Sequence, residues 1–208
     1  MSEYKNNISN ELQEIIDEVH EKIPTGDTSS DIQLIVKLHK KIKEEQKQIV
    51  PTILSVSKEK GLIACGGQMP EEQDKREMMF NKIGNVMAEK IQDVDLFVMV
   101  VDGEMSIKEM TKDSKEKKTE ALIFDAKKIT GEEKRFIFPF RVDMPTTIEG
   151  AEIIKWTEMK PINDLNDGEW TKKKPINHNP LLSQLWNGYK FFLFTEDLSK
   201  INVKKETN

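Results

Sequence analysis

The stretch GLIACGGQMPEEQDKREMMF, residues 61–80, holds the single cysteine of the chain. Cys65 is followed by Gly66 and Gly67, then by Pro70 and an acidic run that opens a helix. These are the parts of a nucleophile facing an anion hole. Consecutive glycine amides can hydrogen-bond an oxyanion, and a helix start favours negative charge, which lowers a thiol's pKa. Such a thiol needs a base. His20 and His39 fall on helical segments and His178 in a Pro- and Asn-rich loop, and none sits in a recognisable motif. The competing reading is a small buried thiol that ends a strand, with two glycines letting the chain turn. It carries the greater weight.

The carboxylates form a second constellation. Asp102 ends the apolar run LFVMVV, and Glu104 follows two residues on. The later stretch EALIFDAKK carries Glu120, Asp125 and Lys127. An acidic residue followed by a hydrophobic strand ending in Asp-x-Lys resembles the metal-dependent nucleases of the PD-(D/E)xK type. The resemblance spans residues 96–128, with Val101 where that family has proline. It implies a Mg²⁺ site with Asp102 and Asp125 as ligands, Glu104 and Glu120 as further candidates, and Lys127 positioning or activating the water. Against it stand solvated hairpin ends, where Asp and Lys are ordinary turn residues.

Two other patterns read as surface. Lys108–Lys118 is lysine-rich but interleaved with Glu109, Asp113 and Glu116, the composition of a solvated loop rather than a nucleic-acid channel. Trp186 and Tyr189 share a helical face with Leu182 and Leu185 and belong in a core. Trp170, in DLNDGEWTKKKP, is an aromatic in a polar loop and is expected to pin that loop to the body.

The elements that must hold these residues follow from periodicity. Ile8, Leu12, Ile15, Ile16, Val19 and Ile23 recur at helical spacing, so residues 8–23 predict an amphipathic helix closed by Pro24. Ser30 or Asp31 is expected to cap a second helix running to about Gln48, with Ile32, Ile35, Leu38 and Ile42 on one face. From Val50 the period changes. IVPTILSVS, KEKG and LIAC predict a hairpin, with Pro51 at a strand start. A third helix opens after Pro70, with Met79, Ile83, Val86, Met87 and Ile91 as its stripe. LFVMVV shows no alternation and reads as a central strand buried on both faces. TEALIFDAKKI and KRFIFPFRV form a second hairpin around TGEE, and Pro139 argues for an edge or a bulge. AEIIKWTEM is a short strand candidate, residues 160–180 a loop, and LLSQLWNGYKFFLF a final helix or helix–strand segment.

Strands come in runs rather than alternating with helices. That predicts an α+β fold: an N-terminal helical hairpin packed on a mainly antiparallel sheet, with one central buried helix and a C-terminal helix. Residues 1–48 form the hairpin, part of the same domain or an appendage, residues 49–200 the α+β domain, and residues 201–208 a frayed tail.

Composition bounds the function. The chain has 208 residues, 33% charged and 37% hydrophobic, which suffices for a core, and a formal net charge of -5. Its arginines are Arg76, Arg135 and Arg141. Few guanidinium forks and an acidic balance argue against a nucleic-acid partner. A lone cysteine excludes an internal disulfide and a multi-cysteine zinc site. The N-terminal stretch lacks the pattern of a signal peptide, and no apolar run is long enough to span a membrane, which predicts a soluble cytoplasmic protein. No Walker-type loop, GxGxxG, HExxH, GxSxG or CxxC occurs. The expectation is a non-enzymatic binding or accessory protein without a cofactor, acting through a protein partner or through self-association. A Mg²⁺-dependent nuclease using Asp102, Asp125 and Lys127 is the first alternative, and a thiol-dependent enzyme using Cys65 the second.

Overall fold

The computed structural model describes residues 8–46, 49–66, 69–107, 117–142, 146–148, 151–153, 156–158, 170 and 179–206. The chain opens with the helices α1 (Asn10–Lys22) and α2 (Thr28–Gln46). The hairpin β1 (Thr52–Ser57) and β2 (Gly61–Gly66) follows, then α3 (Gln73–Lys90). The strands β3 (Val94–Ile107), β4 (Lys117–Lys128) and β5 (Glu133–Val142) come next. Three short strands, β6 (Thr146–Ile148), β7 (Ala151–Ile153) and β8 (Trp156–Glu158), precede α4 (Pro180–Glu206).

The main sheet has the order β2-β1-β3-β4-β5-β8, with neighbours antiparallel throughout, and β6 pairs with β7 separately. The fold is α+β, as the strand runs predict. LFVMVV lies inside the central β3 and is buried on both faces. Alternation along the strands builds two cores. On one face Leu54, Val56, Leu96, Val98, Val100, Leu122, Phe124 and Phe140 meet Leu12, Val19, Ile32 and Ile35 of α1 and α2. On the other, Ile53, Phe97 and Met99 meet Phe80, Met87, Leu182, Leu185 and Tyr189 of α3 and α4. The sheet is the middle of three layers.

Local chemistry explains the boundaries. Ser9 caps α1, its hydroxyl accepting from the Leu12 amide at 3.0 Å. For α2 the cap is Asp27, which receives the Ser30 amide at 3.0 Å and that of Ser29 at 3.4 Å. The expected caps, Ser30 or Asp31, lie inside the first turn of the helix, and Asp31 instead receives the Thr25 amide at 2.8 Å. Pro51 directly precedes β1. Pro139 lies where β5 is an outer strand, because β8 pairs only from Phe140 onward. The helix α4 runs through Ile201 to Glu206, where a frayed tail was expected: INVKKE holds no breaker, and lysines near a helix C-terminus suit its dipole.

Two glycines set the distance between α3 and α4. A Cβ on Gly84 would stand 2.1 Å from the Leu185 carbonyl oxygen, and one on Gly188 would stand 2.1 Å from that of Asn81. The helices therefore touch backbone to backbone. Tyr189, fully buried, locks the crossing to the sheet. Its hydroxyl donates to the Ile91 carbonyl at 2.8 Å and accepts from the Val94 amide at 3.1 Å.

Candidate functional site

Register decides where the carboxylates go. Asp102 pairs with Leu122, and Asp125 with Met99. Asp102 therefore shares the face of Val98 and Val100, under α1 and α2, whereas Asp125 and Lys127 lie on the opposite face, at the start of α4. One metal ion cannot touch both aspartates across the sheet. The arrangement that the nuclease resemblance requires of Asp102, Asp125 and Lys127 is not assembled.

Each group has a structural partner instead. Asp102 accepts from the Lys43 ammonium, which also lies 3.2 Å from Glu120. Lys43 is 1% exposed. A buried lysine costs several kcal/mol in desolvation unless paired, and the two carboxylates supply that pairing while tying α2 to β3 and β4. Asp125 receives the guanidinium of Arg135 in a two-pronged contact, Nε to Oδ1 at 2.5 Å and Nη2 to Oδ2 at 2.9 Å. The Asn179 side-chain amide donates to the same carboxylate at 2.8 Å. Through its own oxygen Asn179 accepts from the Leu181 amide at 3.0 Å, capping α4. Lys127 binds Glu133, lies 3.3 Å from the Ser183 hydroxyl and sits 5.0 Å from the Trp186 ring centre. Asp-x-Lys is thus the fastener that seats the N-terminus of α4. The Glu104 side chain lies outside the described residues. Among the described residues no group of three His, Cys, Asp or Glu side chains is placed to hold a metal ion.

Cys65 is exposed, which corrects the expectation of a buried thiol. The reason is topological: β2 is the outer strand of the sheet, and α3 stands beside this end without covering it. The thiol faces the α3 side. His39 is buried among the residues of the opposite face, its ring edge-on to Phe124 at 5.9 Å, and burial pushes its pKa down. His20 is exposed on α1. Neither can serve Cys65 as a base, and His178 lies outside the described residues, as does Gly67 of the expected anion hole. The helix α3 starts only at Gln73.

What Cys65 does line is an apolar groove of about 590 Å³, walled by Met78, Met79, Ile83, Val86 and Met87 and edged by Lys75 and Lys82. Along α3 these residues recur every three or four positions, forming one stripe. Most of the stripe expected to be buried faces the core, Met87 and Ile91 fully and Met79 and Ile83 in part, and Val86 is its exposed member. Phe80, Gly84, Met87, Ala88 and Ile91 enter the core, while Met78 is 58% and Val86 54% exposed. The signal lies in EMMFNKIGNVM, which is apolar in two overlapping helical registers. One register packs on the sheet, and the other is half-covered, with Met78 and Val86 left to solvent. Methionines are flexible and polarisable, and a Met-rich concavity adapts to an apolar partner surface.

Among the described residues no helix is long and apolar enough to cross a membrane. The chain matches no protein-family model, no curated protein and no solved structure.

Proposed function

We propose that the protein is a non-enzymatic binding or accessory protein whose protein partner seats in the groove between α3 and β2. The observation that carries this reading is the uncovered methionine-rich wall. Large apolar side chains are exposed at Met78 and Val86, next to β2, an edge strand of the sheet among the described residues. The geometry suits an amphipathic helix that presents apolar anchors at i, i+3 or i+4, and i+7. Lys82 at the margin favours anchors flanked by Asp or Glu, whereas Lys75 beside it is paired with Glu72 at 2.6 Å. The reading places the protein in the reducing cytoplasm, where an exposed lone thiol stays reduced.

A phage-displayed library of helical peptides, panned on the purified protein, tests this directly. The expected winners carry spaced apolar anchors with acidic flanks. Val86→Glu should weaken them by about 100-fold, roughly 2.7 kcal/mol, without moving the thermal midpoint, since Val86 is exposed. Winners without that pattern, or indifferent to Val86→Glu, would sink the reading. A dimer in sedimentation equilibrium that Val86→Glu dissociates would make a second copy the occupant in place of a separate protein.

A further inference from the structure

A second concavity lies on the other side of the sheet, independent of the groove. It opens between the first half of α2 and β5, with a volume of about 400 Å³, within the range of small-molecule sites. Its walls are the rings of Phe136, Phe138 and Trp170 against the aliphatic side of α2, and its polar groups include Gln33 and Lys134. On this face Phe124 and Phe140 are fully buried, whereas Phe136 and Phe138 are only half-buried, so ring surface is left over to line the cavity. Trp170 packs against the same core from its own segment and completes the third wall.

Three lysines stand around this pocket, one of them, Lys128, within electrostatic reach of Asp27. Lys134 lies 4.8 Å from the Phe136 ring centre, Lys40 4.0 Å from that of Phe138, and Lys128 4.5 Å from that of Trp170. Three ammonium groups thus stand on the three aromatic walls. No carboxylate lines the cavity among the described residues. The nearby Asp27 is engaged as the α2 cap by the Ser29 and Ser30 amides and by the Ser30 hydroxyl at 2.7 Å. We propose that this pocket binds a planar aromatic anion. The flat ring stacks among Phe136, Phe138 and Trp170, its acidic group meets Lys134, and the Gln33 amide reads a polar edge.

Anilinonaphthalene sulfonate, a planar aromatic anion that fluoresces when bound, is the probe. Its neutral counterpart, phenylnaphthylamine, isolates the role of charge. The expected result, read in the Val86→Glu variant to set the α3 groove aside, is a saturable dye site with weaker binding of the neutral compound by roughly five- to ten-fold, an effect of about 1 kcal/mol for an ion near a partly screened ammonium. Lys134→Ala should lower the affinity for the sulfonate by a similar factor and leave that for the neutral compound almost unchanged. Gln33→Trp, an exposed helix position whose new ring would fill the cavity, should abolish binding of both. Dye affinity unmoved by both substitutions would overturn the proposal, as would equal affinity for the neutral compound. Urea midpoints of the two variants verify folding, and should Gln33→Trp unfold, Lys134→Ala decides alone.

Discussion

His39 is 4% exposed, with Nδ1 2.9 Å from the Ile35 carbonyl oxygen. Desolvation holds its pKa below the ordinary histidine value, partly opposed by that hydrogen bond. The sign follows from linkage. Above about pH 6.5 the imidazole is neutral in both folded and unfolded chains and contributes no pH dependence. As pH falls below that value the unfolded chain takes up a proton that the folded chain resists, so stability declines until the folded value is reached. The slope is bounded by about 1.4 kcal/mol per pH unit for one proton. Urea midpoints at pH 7.5 and 5.5 should show a decline in the parent that is reduced in His39→Leu, and an equal decline in both would refute the assignment. A cap such as Ser9 is a matter of this scale, because it depends on residues within one turn. The partners of Asp125 were not legible in the sequence, since Arg135 and Asn179 reach it from other elements.

Among the elements, the α3–α4 crossing makes the sharpest demand. Gly84→Ala places a methyl group into backbone rather than into a movable side chain, so the helices must part. The expected cost is about 1–3 kcal/mol, a drop of several degrees in thermal midpoint, and Gly188→Ala should behave alike. A neutral effect of both would mean that the helices are not in backbone contact. These glycines do not stand out in the sequence, because nothing local reveals that one helix meets another there. The hairpin turns, by contrast, were readable: Gly61 at φ +72° and Gly131 at φ +99° adopt a conformation that other residues avoid. The stripe of α3 was half readable, since its periodicity fits a helix but two apolar registers compete for the core side.

At the scale of the molecule, the sheet separates what sequence spacing brought together. Which face Asp102 or Asp125 takes depends on the register of β3 against β4, and a shift of one residue would reverse it. No local pattern fixes that parity across the connection between them. The separation predicts independence. Asp102→Asn weakens the hold on buried Lys43, and Asp125→Asn weakens the hold on Arg135 and Asn179, each at about 1–3 kcal/mol. With no shared partner, the double variant should equal the sum within about 0.5 kcal/mol, with or without Mg²⁺. Coupling that appears only with the metal would revive a common ion site. The layering also bears on how the chain acquires its structure during synthesis, which runs from the N-terminus. The residues of the first core lie between Leu12 and Phe140, so that side can close early. The other side waits for Leu182, Leu185 and Tyr189, and until they emerge from the ribosome Phe97 and Met99 lack the cover of α4. A nascent chain of this protein therefore passes through an interval in which one side of a finished sheet is still sticky, a natural point for a chaperone to intervene.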